Sequence, residues 1–233
     1  MYHDGVLIVH ALVRIAVELM AILISVSFHE VAHGRTALAL GDPTARDLGR
    51  LSLNPIRHID LFGSVIVPAA LAIARAPIFG WAKPVPVRPD QFAKPRRGMA
   101  IVSIAGPATN LVLAAAALGC LRVVEAIVPG GRHAVLVSLV GGAPGSFSAL
   151  GALMTFLVSM LVINVVLALF NLLPIPPLDG AGIVSGFLPE AVAQRYERLG
   201  AFGFFVIFFL LWIGAFDALF QPFMDLIMKL IAG

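Results

Sequence analysis

Charged residues are scarce in this chain. Asp, Glu, Lys and Arg make up 12% of its 233 residues, about half the share of a soluble domain. That scarcity excludes a solvated surface over most of the molecule. Cysteine is scarcer still: Cys120 stands alone, so no intramolecular disulfide can form and a disulfide-stapled scaffold is excluded. In its apolar run Cys120 reads as an inert packing residue. The basic loops lack interleaved aromatics, so the net charge of +3 reads as a topology signal and not as a nucleic-acid surface. A basic leader is missing as well. The first apolar segment carries Arg14 and Glu18, an i, i+4 pair, and reads as retained.

Long hydrophobic runs fill the space that charge leaves. The chain is 60% hydrophobic with a mean hydropathy of +0.98. Backbone polar groups in hydrocarbon must be satisfied internally, so the spans must be helical. The expected fold is all-α: a polytopic transmembrane helical bundle with short surface loops or strands. Five apolar blocks are visible, at about 6–40, 61–79, 99–121, 149–173 and 200–232. Each of the first four is near the 20 or so residues a helix needs to cross. In the last, Asp217, Gln221, Asp225 and Lys229 recur at four-residue steps, so this block can be one span plus an interfacial helix. One integral-membrane domain over 1–233 is expected, with a core at about 6–200 and a C-terminal hydrophobic segment at 200–232.

His29, Glu30 and His33 read HEVAH inside the first block. Ionisable groups within a membrane cost a few kcal/mol each and mark function by default. Positions i and i+4 share a helix face, so both imidazoles can reach one ion, and Glu30 can approach a water beside it. Zinc hydrolases usually take a third protein ligand. Asp179 is the strongest candidate, since the prolines of Asn171–Gly180 (NLLPIPPLDG) stop regular helix there and irregular backbone at membrane depth lines cavities. It lies far from His33 in sequence, and Asp-Gly is also a common turn.

With these motifs the chain resembles the site-2 protease family of intramembrane zinc metalloproteases, peptidase family M50. HEVAH matches its HExxH, Asn171–Gly180 matches NxxPxPxLDG, and Gly106-Pro107-Ala108-Thr109-Asn110 is similar to its GPxxN segment. Gly41–Thr44, Leu53–Pro55 and Gly80–Val87 look like a short prokaryotic branch without PDZ or CBS domain. The resemblance implies a three-helix catalytic core and one Zn2+ per chain held by His29, His33 and Asp179, with Glu30 as the catalytic base. It also makes Asn110, Asn171 and Pro174 candidates for substrate binding. Asn110 and Asn171 could equally cross-link helices, as Asn often does in membranes; Asn164 reads as helix glue, and His58, near Asp60, as a surface residue.

The implied activity is endoproteolysis in or near transmembrane segments of a membrane-protein substrate, as in regulated intramembrane proteolysis. A zinc-binding transporter and a non-proteolytic relative that binds membrane proteins are the alternatives. The expected setting is the lipid bilayer of the cell (inner or plasma) membrane; a regulatory partner and the oligomeric state are left open. For the ligands to meet, blocks one and four must end on the same side. They do so if block two is re-entrant, and twelve Lys and Arg then face one side against Arg122 and Arg132. If block two spans, the same residues split eight against six. The positive-inside rule favours the lopsided arrangement, with the active site toward the cytoplasm.

Overall fold

The computed structural model describes residues 2–76, 80–131, 133, 135 and 149–232. Among these the regular structure is helical throughout. Helix α1, Tyr2–Ala39, contains no proline, so nothing interrupts its hydrogen-bond ladder. It stops at Gly41, whose φ of 108° suits glycine. There the Asp42 N–H reaches back to the Ala37 carbonyl at 2.9 Å, the glycine-ended closure common at helix C-termini. A four-residue helix, α2, Thr44–Asp47, follows.

The described helical part of block two is shorter than a span needs. A π-helical turn, Leu61–Ile66, leads into α3, Val67–Ile73. Thirteen helical residues reach about 20 Å at most, against a hydrocarbon layer of about 30 Å. The chain then returns to where it left: the Trp81 N–H donates to the Gly63 carbonyl at 3.1 Å, and the Ser64 hydroxyl donates to the Trp81 carbonyl at 2.9 Å. The chain on either side of the element is thus joined near its start, an arrangement compatible with the re-entrant reading.

The stretches 41–60 and 80–94 contain only short helical turns and extended chain, with no strand among the described residues. Pro84, Pro86 and Pro89 lack the N–H that a ladder needs, which accounts for the missing strands. Helices α4, Pro95–Ile127, and α5, Ala149–Asn171, complete three helices long and apolar enough to cross a membrane. Cys120, expected to pack inertly, is exposed on α4.

Two short helices follow that the apolar blocks do not reveal: α6, Asp179–Phe187, and α7, Glu190–Glu197. The last block divides into α8, Gly200–Trp212, and α9, Ala215–Ala232, bent by 70° at Gly214, which has φ 73°.

The chain groups into two compact units. One comprises residues up to Ser25, Leu111–Val166 and Pro222 onward. Its core packs Ala21, Ala114, Ala117, Leu121, Met154, Leu161 and Ile227. Buried with them is a polar cluster. Asn164 Nδ2 donates to the Ser25 hydroxyl at 2.8 Å and to the Met160 carbonyl at 2.7 Å, and the Ser25 hydroxyl donates to the Ala21 carbonyl at 2.7 Å. The Arg14–Glu18 pair closes at 2.8 Å.

The second unit comprises Val26–Asn110 and Leu167–Gln221 and holds every candidate site residue. Its short helix α6 lies tightly on α4. A Cβ added at Gly186 would fall 2.5 Å from Ala100 Cβ, and one at Gly182 would strike the Ser103 side chain. Gly182 and Gly186 are four apart, the small-xxx-small spacing that lets helix backbones approach closely.

Candidate metal centre

His29 and His33 sit one turn apart near the C-terminal end of α1, with 7% and 9% of their surface exposed. Their rings meet edge to face, centroids 4.6 Å apart, and their Nε2 atoms lie 3.0 Å from each other. Asp179 Oδ2 completes the group, 3.1 Å from His29 Nε2 and 3.3 Å from His33 Nε2. The structure therefore brings Asp179, distant in sequence, against the two histidines of α1.

Hydrogen-bond accounting shows what the group needs. His29 Nδ1 lies 2.6 Å from Asn110 Oδ1, and His33 Nδ1 lies 2.8 Å from the Val102 carbonyl. Both partners are acceptors, so each neutral imidazole carries its proton on Nδ1. Both Nε2 atoms then present lone pairs to each other and to a carboxylate oxygen. Asp179 Oδ2 is buried without a hydrogen-bond partner. Three inward-facing lone pairs repel unless a cation lies among them. Donor atoms about 3.3 Å apart suit a tetrahedral ion with bonds of about 2.0–2.1 Å, and two imidazoles with a carboxylate are a zinc-type donor set. The residues present fit a zinc ion.

Local sequence explains the geometry. Gly106 of α4 faces both imidazoles: a Cβ there would lie 2.5 Å from His29 Cε1 and from His33 Nε2. Only glycine leaves room for the rings. Pro107 has no N–H for the Ser103 carbonyl, which loosens the ladder at that turn. Val102, one residue earlier, is the carbonyl that His33 engages. Asp179 occupies the first turn of α6, where the helix dipole favours negative charge.

The preceding loop is held from the C-terminal side. The Tyr196 hydroxyl donates to the Pro174 carbonyl at 2.7 Å, and Gly203 of α8 lies against the Pro176 carbonyl, where a Cβ would not fit. Glu30 is half-buried, and its Oε2 accepts the Val85 N–H at 2.7 Å.

The remaining candidates are placed as follows. Asn110 is fully buried beside His29. Asn171 is half-buried, its Nδ2 donating to the Leu167 carbonyl of its own helix at 2.9 Å. Pro174 is exposed. His58 is not a surface partner of Asp60. It is 2% exposed with Nε2 2.7 Å from the Ser52 carbonyl, while the Asp60 carboxylate accepts the Gly63 N–H at 2.7 Å. Sequence reasoning missed the space-making role of Gly106, the tie from Val85 to Glu30, and Asp42. Asp42 is fully buried, its oxygens accepting the Thr44 N–H at 2.9 Å and the Arg88 N–H at 2.6 Å. Burial opposes the charge on Asp42, but those donors and the nearby Arg88 outweigh it and hold the carboxyl below the usual range. A Gly-Pro pair inside a long apolar helix was the one available signal for Gly106.

A helical membrane scaffold carrying HExxH and a distant aspartate around one cation position defines a class, the membrane metallohydrolases. The model of peptidase family M50 matches residues 17–214, and the chain belongs to that family, the site-2 proteases. "Putative zinc metalloprotease YwhC" of Bacillus subtilis (strain 168) is 36% identical over 194 residues, covering 83% of this chain and 78% of the relative. "Putative zinc metalloprotease Rip2" of Mycolicibacterium smegmatis is 32% identical over 189 residues, covering 81% of this chain and 64% of the relative. No solved structure matches the chain with significance. The family is one of zinc metalloproteases, so zinc is the metal it implies, and His29, His33 and Asp179 are the residues that could hold it.

Proposed function

We propose that this protein is an intramembrane endopeptidase that cuts a peptide bond in or near a transmembrane segment of another membrane protein, as in regulated intramembrane proteolysis. One observation carries the reading: His29 Nε2, His33 Nε2 and Asp179 Oδ2 converge within 3.3 Å, with Glu30 the residue that follows His29 on the same helix. Those three residues would hold a single zinc ion. When bound, the ion supplies Lewis-acid chemistry, lowering the pKa of water and polarising a carbonyl. Glu30 takes the proton of the attacking water as general base and returns it to the departing amide nitrogen as the C–N bond breaks. Asn110 orients His29: its contact with Nδ1 favours that role over the substrate contact the resemblance implied. Asn171 and Pro174, at the mouth of the Pro-rich loop, are the remaining substrate-facing candidates. The substrate enters extended, because a helical peptide hides its carbonyls in hydrogen bonds.

The setting is the cell membrane, with the site toward the cytoplasm. The apolar faces of Leu12, Val112, Phe205 and Trp212, each 60% or more exposed, face lipid. The return of Trp81 to Gly63 supports a re-entrant block two, under which the basic loops share one side, and the positive-inside rule makes that side cytoplasmic. Cysteines placed at positions 50 and 90 in a Cys120→Ala background should label from the same face, and opposite accessibility would overturn this topology.

The activity is tested with Glu30→Gln. Membrane-anchored fragments that accumulate in cells carrying this variant, and disappear when the native enzyme is restored, identify substrates. Cleavage that persists in zinc-loaded Glu30→Gln would remove Glu30 as the base.

A further inference from the structure

The extended segment after the re-entrant element is pinned along its length. The Lys83 N–H donates to the His58 carbonyl at 2.8 Å, Arg50 Nη2 donates to the Lys83 carbonyl at 2.8 Å, and the Arg88 N–H reaches buried Asp42 at 2.6 Å. Between these anchors stand Pro84 and Pro86, which have fixed φ and no N–H. Val85 therefore carries the one backbone donor of residues 84–86, and that donor is spent on Glu30 Oε2 at 2.7 Å. Val85 is 7% exposed, and its side chain covers Gly34, where a Cβ would come within 2.9 Å of Val85 Cγ1. The donor is buried, rigidly carried and aimed at a single carboxylate oxygen.

A glutamate next to a metal-ligating histidine has a competing use. Carboxylates are good zinc ligands, and catalytic sites must keep one position open. The glutamate side chain is flexible, and a free one can swing onto the cation. Resting on the peptidase reading above, we infer that the Val85 peptide N–H is the positioning group for Glu30. It ties one carboxylate oxygen away from the metal position and leaves Oε1 to receive the proton. Pro84 and Pro86 fix the donor in place.

The test uses the full-length protein in detergent micelles. Hydrogen exchange reads the tie directly: the Val85 amide should be protected in the native protein and exchange roughly 10- to 100-fold faster in Glu30→Ala, the scale of a hydrogen bond to a charged group. An unchanged rate would overturn the inference. The second arm compares Val85→Pro, which deletes the N–H, with Val85→Ala, which keeps it. The substrate is a quenched-fluorescent transmembrane peptide of Leu and Ala with a central Gly pair. Val85→Pro should lose roughly 10- to 100-fold in kcat, part of what a positioned general base contributes, with KM and zinc content preserved. Val85→Ala should stay within about threefold of native, since the donor remains. Equal losses in both variants, or loss of zinc in Val85→Pro alone, would assign Val85 to packing and overturn the inference. If Val85→Pro does not fold, the exchange measurement decides. A native enzyme that cuts no transmembrane peptide while the exchange difference stands would sink the peptidase reading and the catalytic consequence drawn here, but not the tie itself.

Discussion

Two buried polar clusters lie on residues of α1, one turn apart in sequence, and they obey opposite rules. In the first unit, Asn164, Ser25 and the Met160 and Ala21 carbonyls match donors to acceptors. The side-chain donors of that cluster are spent on acceptors within it. In the second unit, His29, His33 and Asp179 turn three lone pairs toward one point, and the protons that could have separated them are spent on Asn110 and Val102. Burial alone does not mark a site in a membrane protein. The balance of donors and acceptors does: a closed balance joins helices, and a deficit of positive charge recruits a cation.

The contrast can be broken hardest at Gly106. Gly106→Ala puts a methyl group 2.5 Å from both imidazoles. It should abolish stoichiometric zinc, read by metal analysis of the purified protein, and activity with it. Full zinc occupancy in that variant would mean the rings have another arrangement.

Asn110→Ala comes next. Removing the partner of a metal-ligating imidazole typically costs about 10- to 100-fold in metal affinity or activity. The loss should appear in a zinc competition titration while the helical circular dichroism stays native. An Asn110→Ala protein that binds zinc normally but loses KM would instead return Asn110 to the substrate.

Asn164→Ala sharpens the other side of the comparison. It should lower stability by about 1 kcal/mol, the scale of hydrogen bonds between membrane helices, measured by thermal unfolding in detergent, with zinc content unchanged. Zinc loss there would show that the satisfied cluster also serves the site.

Asp42 gives the smallest effect and the only one read against pH. It is buried but fully paired, like Asn164, and carries a charge. Its folded pKa lies below the unfolded value of 3.8. Its stabilising contribution is therefore complete above about pH 4 and lost as pH falls through the lower folded value. Asp42→Asn should flatten this part of the acid unfolding curve, lowering the melting temperature more at pH 7 than at pH 3. An equal shift at pH 7 and pH 3 would deny Asp42 that role.

Much of this was legible in the residues themselves. The i, i+4 spacing of His29 and His33, their setting in an apolar run and the helix-stopping prolines before Asp179 are local features, and local features survive in a linear sequence. The re-entrant reading of block two came only from counting crossings, because a largely apolar stretch looks alike whether it spans or returns; the contact of Trp81 with Gly63 is what the tertiary structure adds to it. Helices α6 and α7 were not legible, since their first turns follow prolines in a stretch where no long apolar period runs.

The sequence by itself determined the class of chemistry: two imidazoles on one helix face beside a carboxylate, in a chain too apolar to live in water. Only the tertiary structure decided that Asp179 closes the group, which imidazole nitrogen of each ring faces inward, and that Gly106 must have no side chain. Periodicity follows from backbone geometry over a few residues and can be read along the chain. Coordination depends on atoms from α1 and α6 arriving within about 3.3 Å of one another, and that distance is set by packing between segments whose order along the chain carries no metric.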